Sequence, residues 1–390
     1  MKPKLIRITT IPLSLDKLLT NQMQFMNQFF EVTAVSSDLP YLQKIAKQQQ
    51  VKYKCIEMSR KITPLKDCIS LFKMILFFIK QKPLIVHTHT PKAGIIGMLA
   101  AKIAGVPNRY HTVAGLPLME ATGIKRKVLN FVEKLTYSCA TKVYPNSMGL
   151  YDFILKEEFT KANKLKVLGN GSSNGIDTSY FDASLIAEQT KSDLKNALGI
   201  LDSDFVFVFV GRLVSDKGIN ELVQAFNQVT SMHKNAKLLL VGPLEVDLDP
   251  LLPETTLSIT SNPNIISVGY QADVRPYLAI SHLLTFPSYR EGFPNVVMQA
   301  GAMGIPAIVS DINGCNEIVR NNVNGIIIPV KQIQPLFNEM LNVLCNIQFY
   351  NDTADNINQA GYVSISKGNS FYLQAWLNVE KYRYLQLFYR

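Results

Sequence analysis

Two short stretches carry residues whose types and spacing could do chemistry. In VGRLVSDKG, 210–218, Arg212 and Lys217 stand between a continuous apolar run ending at Gly211 and an amphipathic segment with Leu222, Val223 and Phe226 on its inner stripe. Two cations at the carboxyl end of a strand, beside the unpaired N–H groups of a helix start, form an anion site that a diphosphate would satisfy. In EGFPNVVMQ, 291–299, Glu291 precedes Gly292, Phe293, Pro294, Asn295 and Val296, and Gln299 closes the stretch. Gly292 lets the backbone approach a ligand. Pro294 suits the first turn of a helix, and the N–H groups around Phe293 to Val296 make a second phosphate-compatible pole. Phosphates repel a carboxylate, so Glu291 makes sense there only if it holds hydroxyl groups, and sugars are made of hydroxyls. Two solvated cations and an ordinary turn are the bland alternative. The position after a buried strand weighs against it.

These residues need elements to position them. LIRITT, EVTAVSS, VKYKCIEM, LIVHTHT, NRYHTV and KVYPNS read as strands, with helices expected over 15–29, 39–50, 66–81, 92–105, 124–140 and 147–157. Strand and helix alternating at this spacing predict a parallel sheet with helical crossovers. The Asn-, Gly- and Ser-rich segment 165–182 reads as a linker. The pattern then restarts with FVFVFVG, KLLLVG (ending at Gly242), NIISVG, HLLTFPS, IPAIVSD and GIIIPV. The expected fold is α/β, two tandem Rossmann-like domains over 1–185 and 186–365 whose sheets face a cleft. The aromatic-rich segment 366–390 is expected to be a helix, either crossing back to the first domain or closing the second.

Composition narrows the function. A hydrophobic fraction of 47% suits a globular chain with large buried sheets. No apolar run reaches the roughly 18–20 residues that span a bilayer, and the N-terminus lacks a signal peptide's apolar segment. Five cysteines without a C-x-x-C pair point to a reducing compartment, not to a disulfide framework or a zinc site. Residues 1–190 carry a net charge of +13 and residues 191–390 a net −3. A basic first half fits an anionic membrane or an anionic, lipid-linked substrate. Nucleic acid is the weaker reading, for no RNA-binding or zinc-finger signature is present. His87 and His89 alternate in VHTHTPKAG without nearby carboxylates, so a structural or contact role is preferred to metal. Asp247 and Asp249 form a D-x-D spacing in an acidic, Pro-broken loop and are read as chance. The clustered Lys125, Arg126 and Lys127 could meet anionic lipid or the diphosphate of a lipid-linked substrate.

The motifs VGRLVSDKG, LLLVG, VGYQADVRPYL, FPSYREGFPNVVMQAGAMGIP and DINGCNEIVRNNVNGIIIP, in this order, resemble a family-four retaining glycosyltransferase of the GT-B type, of the capsule or lipopolysaccharide kind. The resemblance spans nearly the whole chain and is strongest over 205–330. It implies that Arg212 and Lys217 grip a donor diphosphate, Glu291 the sugar hydroxyls, and the 292–296 backbone the distal phosphate and sugar. It also implies that Tyr270 lies near the base and His111 touches the donor sugar. At Gln299 such enzymes usually carry a glutamate that bonds the ribose. A glutamine amide can still accept and donate there, losing on the order of 1 kcal/mol of charge-assisted bonding. The loop TIPLSLDKL lacks the Gly-Gly often seen in this family.

The expectation is therefore a retaining transferase that takes sugar from a nucleotide-diphosphate sugar, UDP-linked in the first instance. Its acceptor would be a glycan on a polyprenyl diphosphate at the cytoplasmic face of the membrane. His89, Lys92 and the 125–127 cluster would meet acceptor or lipid. No metal or other cofactor is expected. A sugar-nucleotide epimerase and a catalytically silent sugar-nucleotide-binding protein are the alternatives.

Overall fold

The computed structural model describes residues 2–19, 21–61, 63–172, 175–246 and 249–346. Asp247 and the expected helix 366–390 fall outside them. The chain divides into two compact units between Gly175 and Ile176, within the Asn/Gly/Ser-rich segment.

The first unit has strands β1 (Lys4–Ile8), β2 (Glu31–Ser36), β3 (Lys52–Cys55), β4 (Ile85–Thr88), β5 (Asn108–Val113) and β6 (Lys142–Pro145). Its helices are α1 (Pro12–Leu18), α2 (Gln22–Met26), α3 (Leu39–Gln48), α4 (Pro64–Gln81), α5 (Pro91–Ile103), α6 (Gly123–Cys139) and α7 (Met148–Lys156). The single helix expected over 15–29 is two, broken at Asn21, which takes a left-handed conformation with φ +59°. Asparagine tolerates that region better than most residues. The sheet order is β3-β2-β1-β4-β5-β6, with every pair parallel. Alternation along the strands splits the core in two. Leu5, Val32, Ile85 and Tyr110 pack with residues of α1, α2 and α3, while Ile6, Ile8, Val86 and Val143 pack with α4, α5, α6 and α7.

The second unit has strands β7 (Phe205–Val210), β8 (Ala236–Val241), β9 (Ile265–Ser267), β10 (Leu283–Phe286), β11 (Ala307–Ser310) and β12 (Gly325–Ile328). Its helices are α8 (Glu188–Leu198), α9 (Ile219–Met232), α10 (Pro253–Ser261), α11 (Arg275–Ala279), α12 (Asn295–Ala302), α13 (Cys315–Ile318) and α14 (Ile333–Cys345). The order β12-β11-β10-β7-β8-β9 is the first unit's order read from the other edge. Val206, Phe207, Val208 and Phe209 are all fully buried, which is why FVFVFV needs no polar face. In such doubly wound sheets ligands bind beyond the carboxyl ends of the strands where the order reverses. Those strands are β1 and β4 in the first unit, β7 and β10 in the second.

Candidate active site

The loops leaving β7 and β10 bring the first two motifs together. After β7 come Gly211, Arg212 and a 3-10 turn, Ser215–Lys217, leading through Gly218 into α9. After β10 come Pro287 to Glu291 and then α12. Lys217 Nζ donates to Glu291 Oε1, and Arg290 Nη2 donates to Asp216 Oδ2 at 2.7 Å. Two neighbours on one loop thus meet two neighbours on the other with opposite signs. Tyr289 N–H donates to the Asp216 carbonyl at 2.9 Å, and Tyr289 Oη to Glu221 Oε1 at 2.6 Å. The approach depends on Gly218. Its φ is +70°, and a Cβ there would lie 2.1 Å from the Pro287 carbonyl oxygen.

Glu291 is held and still available. Its Oε1 accepts from Lys217 and from Ser288 Oγ, the latter at 3.1 Å. No hydrogen-bond partner for Oε2 is found among the described residues. The Lys217 and Glu291 side chains keep 16% and 18% of their surface exposed, enough for a ligand to reach them. Arg212 lies at the same strand end, where its Nη1 donates to Glu245 Oε2 at 2.8 Å. Two acids of the loop that follows β8 have a structural role. Glu245 pairs Arg212, and Asp249 Oδ2 accepts the Asp216 N–H at 2.6 Å, fixing the 3-10 turn. Among the described residues no three His, Cys, Asp or Glu side chains gather in a metal-holding group.

The other pole is the entrance to α12. Gly292 and Pro294 are buried, and Phe293, Asn295 and Val296 are half-buried. Pro294 stands just before the helix and not in its first turn as expected. The DING turn packs beneath it. Gly314 has φ +76°, and a Cβ there would lie 2.5 Å from the Gly292 carbonyl oxygen. Cys315 is fully buried. Burial, and then the Glu291 carboxylate, push its thiol well above the ordinary value. Gln299 lies a turn inside α12, half-buried, and its amide has no hydrogen-bond partner among the described residues. Gly242 N–H donates to the Gly269 carbonyl at 2.8 Å, and next to it Tyr270 is exposed. Asp216, Arg290, Ser288, Glu245 and Gly314 were missed from sequence. The one available signal was the inverted order of charges in Asp216-Lys217 and Arg290-Glu291.

The first unit's candidates are differently placed. His111, on β5, is buried, with Nδ1 2.7 Å from Thr88 Oγ1. Burial lowers its pKa from 6.5 to about 4, so the ring is neutral. Gly94 on α5 leaves room for it, since a Cβ there would lie 2.6 Å from His111 Cε1. His87 and His89 are buried with ring centroids 4.1 Å apart, and burial holds both well below the ordinary imidazole value. Arg7 Nε donates to His89 Nε2 at 3.0 Å. Lys92 is paired with Asp67 at 2.5 Å. Arg126 turns inward to Glu157 (2.9 Å) and the Leu118 carbonyl (2.6 Å). His89, Lys92 and Arg126 are thus engaged within the first unit, as Arg212 and Lys217 are within the second. Lys125 and Lys127 are exposed.

Two doubly wound sheets of one strand order, the second ending in a cation–carboxylate loop pair, define a GT-B protein. A family model described as "Glycosyl transferases group 1" matches residues 204–346, and one described as "Glycosyl transferase 4-like" matches 18–147. The capsular polysaccharide biosynthesis glycosyltransferase CapM of Staphylococcus aureus is 36% identical over 326 residues, 83% of each chain. The Escherichia coli UDP-Gal:alpha-D-GlcNAc-diphosphoundecaprenol alpha-1,3-galactosyltransferase is 31% identical over 293 residues, 73% of each chain. Among solved structures, Anabaena HepE in complex with UDP and glucose matches with a TM-score of 0.81 at 18% identity, covering 97% of this chain and all of that one. The chain belongs to the group 1, GT4-like glycosyltransferase family, and is an enzyme of that class.

Proposed function

We propose that this enzyme transfers a sugar, with retention, from a UDP-sugar to a glycan carried on a polyprenyl diphosphate, in cell-surface polysaccharide synthesis at the cytoplasmic face of the membrane. The observation that carries the donor reading is the Lys217–Glu291 contact between the β7 and β10 loops. It sets a cation and a carboxylate side by side, as a sugar joined to a diphosphate requires. Lys217 and Arg212 take the diphosphate. When the sugar–phosphate bond breaks, the leaving phosphate gains charge, and these cations with the N–H groups at the start of α12 stabilise it. That arrangement neutralises the leaving group without a divalent ion. Oε2 of Glu291 accepts from sugar hydroxyls. Gln299 bonds the ribose and Tyr270 lies towards the base.

Retention follows if the acceptor oxygen attacks from the face the phosphate leaves, with a phosphate oxygen taking the acceptor's proton. His111, kept neutral by burial, can offer a hydrogen bond but no charge. The lipid-linked acceptor is supported by the E. coli relative, whose name states a UDP-Gal donor and a diphosphoundecaprenol-linked acceptor. No described helix is long and apolar enough to cross a membrane, so the proposed attachment is peripheral.

Calorimetric titration with UDP and with GDP, without metal and then with magnesium, tests the donor site. Tight, metal-independent UDP binding is expected. Binding only with magnesium, or none, overturns the diphosphate clamp. NMR of the product's anomeric proton tests retention. An isomer formed from donor alone would mark an epimerase, and donor binding with no turnover would mark a silent binding protein.

A further inference from the structure

The outward faces of α4 and α6 are apolar where a surface helix is ordinarily polar. On α4, Leu65, Ile69, Phe72, Leu76 and Ile79 recur in alternating steps of four and three, and all are exposed, Leu65 by 84% and Phe72 by 62%. The opposite face, with Ser70, Met74 and Phe78, is buried. On α6 the same spacing places Ile124, Val128 and Phe131 outward, Ile124 82% and Phe131 66% exposed. Both helices pack against α5 and contribute to the same core on one side of the sheet. The apolar rows therefore flank a single helix on one face of the first unit. Soluble monomers rarely leave such rows bare.

Charge selects the occupant. Lys66, Lys73 and Lys80 each follow a stripe residue and are exposed along one flank of α4, and Lys125, Lys127 and Lys134 are exposed on α6. Neither helix exposes an acid to balance them. Asp67 of α4 is paired with Lys92, and Glu133 of α6 is buried, where burial raises its pKa to about 7. A second copy of the chain fits poorly. Pairing two α4 stripes antiparallel sets lysine row against lysine row, and pairing them parallel sets the lysines against Cys68, Ile75 and Lys82, so neither register supplies a carboxylate. An apolar face flanked by lysines, with no exposed acid, is the pattern of a helix lying in the headgroup region of an anionic bilayer. The lysine stems can lie along the apolar surface while their ammonium groups reach phosphate.

We infer that the α4–α6 face is the surface by which this enzyme docks on anionic lipid. The inference rests on the proposed lipid-linked acceptor for its purpose, but its test is separate. The full chain is sedimented with phosphatidylcholine vesicles and with vesicles containing about one third phosphatidylglycerol. Binding at least about tenfold tighter to the anionic vesicles is expected, weakening as salt rises. Phe72→Ser with Leu76→Ser, and separately Lys73→Glu with Lys80→Glu, should each weaken it by about tenfold or more. UDP affinity should stay unchanged in both, which also reports folding. Equal binding to the two vesicle types, or variants that bind like the parent, overturns the inference. So does a monomer–dimer equilibrium in sedimentation that Phe72→Ser with Leu76→Ser abolishes, since the face then belongs to a second copy. Vesicle binding that persists in a chain unable to bind UDP would count against the proposed function and leave the docking face standing.

Discussion

In the second unit the central strands run out into charge. Lys217, Glu291, Asp216 and Arg290 cross-pair between two loops and remain partly exposed. In the first unit the matching region is dehydrated and holds neutral imidazoles. His87 Nε2 lies 2.8 Å from Thr112 Oγ1, and His111 Nδ1 2.7 Å from Thr88 Oγ1. The strand order is the same in both. Topology therefore says where a ligand binds, and the residues at the strand ends decide which ligand. Accessible cations suit a diphosphate. A buried neutral histidine can only donate or accept single hydrogen bonds.

The largest effect should come from breaking the charged end. Lys217→Ala removes a cation from the proposed diphosphate site and leaves Glu291, mostly buried, without its counter-ion. Turnover should fall roughly 10²–10³-fold and UDP affinity with it. Near-parental turnover would mean that the donor binds elsewhere. Gly218→Ala attacks the same pairing through the backbone. The new Cβ would meet a carbonyl oxygen at 2.1 Å, so a stability loss of about 2–4 kcal/mol is expected in urea denaturation, with weakened UDP binding. Gly94→Ala in the first unit should also destabilise, because the new Cβ would lie 2.6 Å from Cε1 of the buried His111 ring, which Thr88 holds at 2.7 Å.

Acid should sharpen the contrast. His111 binds its proton at about 4 when folded and at 6.5 when unfolded. Its contribution is present above pH 6.5 and is lost as pH falls towards 4, up to about 3 kcal/mol. His87 and His89 shift in the same direction. Glu133 opposes them. Its folded pKa is raised to about 7 from 4.5, so the stability it lends is present in acid and lost as pH rises through 7. Three groups against one predict a net loss. Between pH 7 and pH 5, hydrogen exchange should show β4 and β5 losing more protection than β7 and β8. Equal loss in the two sheets would show that the buried histidines do not set the acid sensitivity.

Most strands were legible because they are apolar runs closed by Gly, Pro, Ser or Asn, and such runs bury whatever their partners; β3, KYKC and largely exposed, is the exception. Arg212, Lys217 and Glu291 were legible as strand-end residues for the same reason. The pairing between loops was not. Lys217 and Glu291 are 74 residues apart, and nothing periodic links them. Other partners distant in sequence were hidden too: Arg7, Asp67 and Glu157 hold His89, Lys92 and Arg126. The structural part played by the acidic loop carried no sequence signal either: Glu245 holds Arg212, and Asp249 accepts the Asp216 N–H. The break at Asn21 had no signal beyond the residue's tolerance of positive φ.

Smaller effects test how finely the charged end is tuned. Gln299→Glu would restore the acid usual at that position in the family. A ribose diol would then gain a charge-assisted bond, and UDP should bind about fivefold tighter, near 1 kcal/mol, in calorimetry. Unchanged affinity would separate Gln299 from the ribose.

Glu245→Gln should have the smallest effect, and its sign is informative. Glu245 holds Arg212 at 2.8 Å, with 37% of the arginine side chain and 28% of the glutamate exposed. A pair this open is worth roughly 1 kcal/mol at most, so removing the charge should leave stability nearly unchanged. If Arg212 must leave Glu245 to reach the diphosphate, the substitution removes a competitor and UDP should bind up to about fivefold tighter. If instead Glu245 holds the guanidinium in the position the phosphate needs, binding should weaken by a similar factor. Titrating UDP into Glu245→Gln and into Glu245→Gln with Arg212→Ala separates these cases. An effect of the first substitution that vanishes in the double variant acts through Arg212, and one that survives acts through the acidic loop itself.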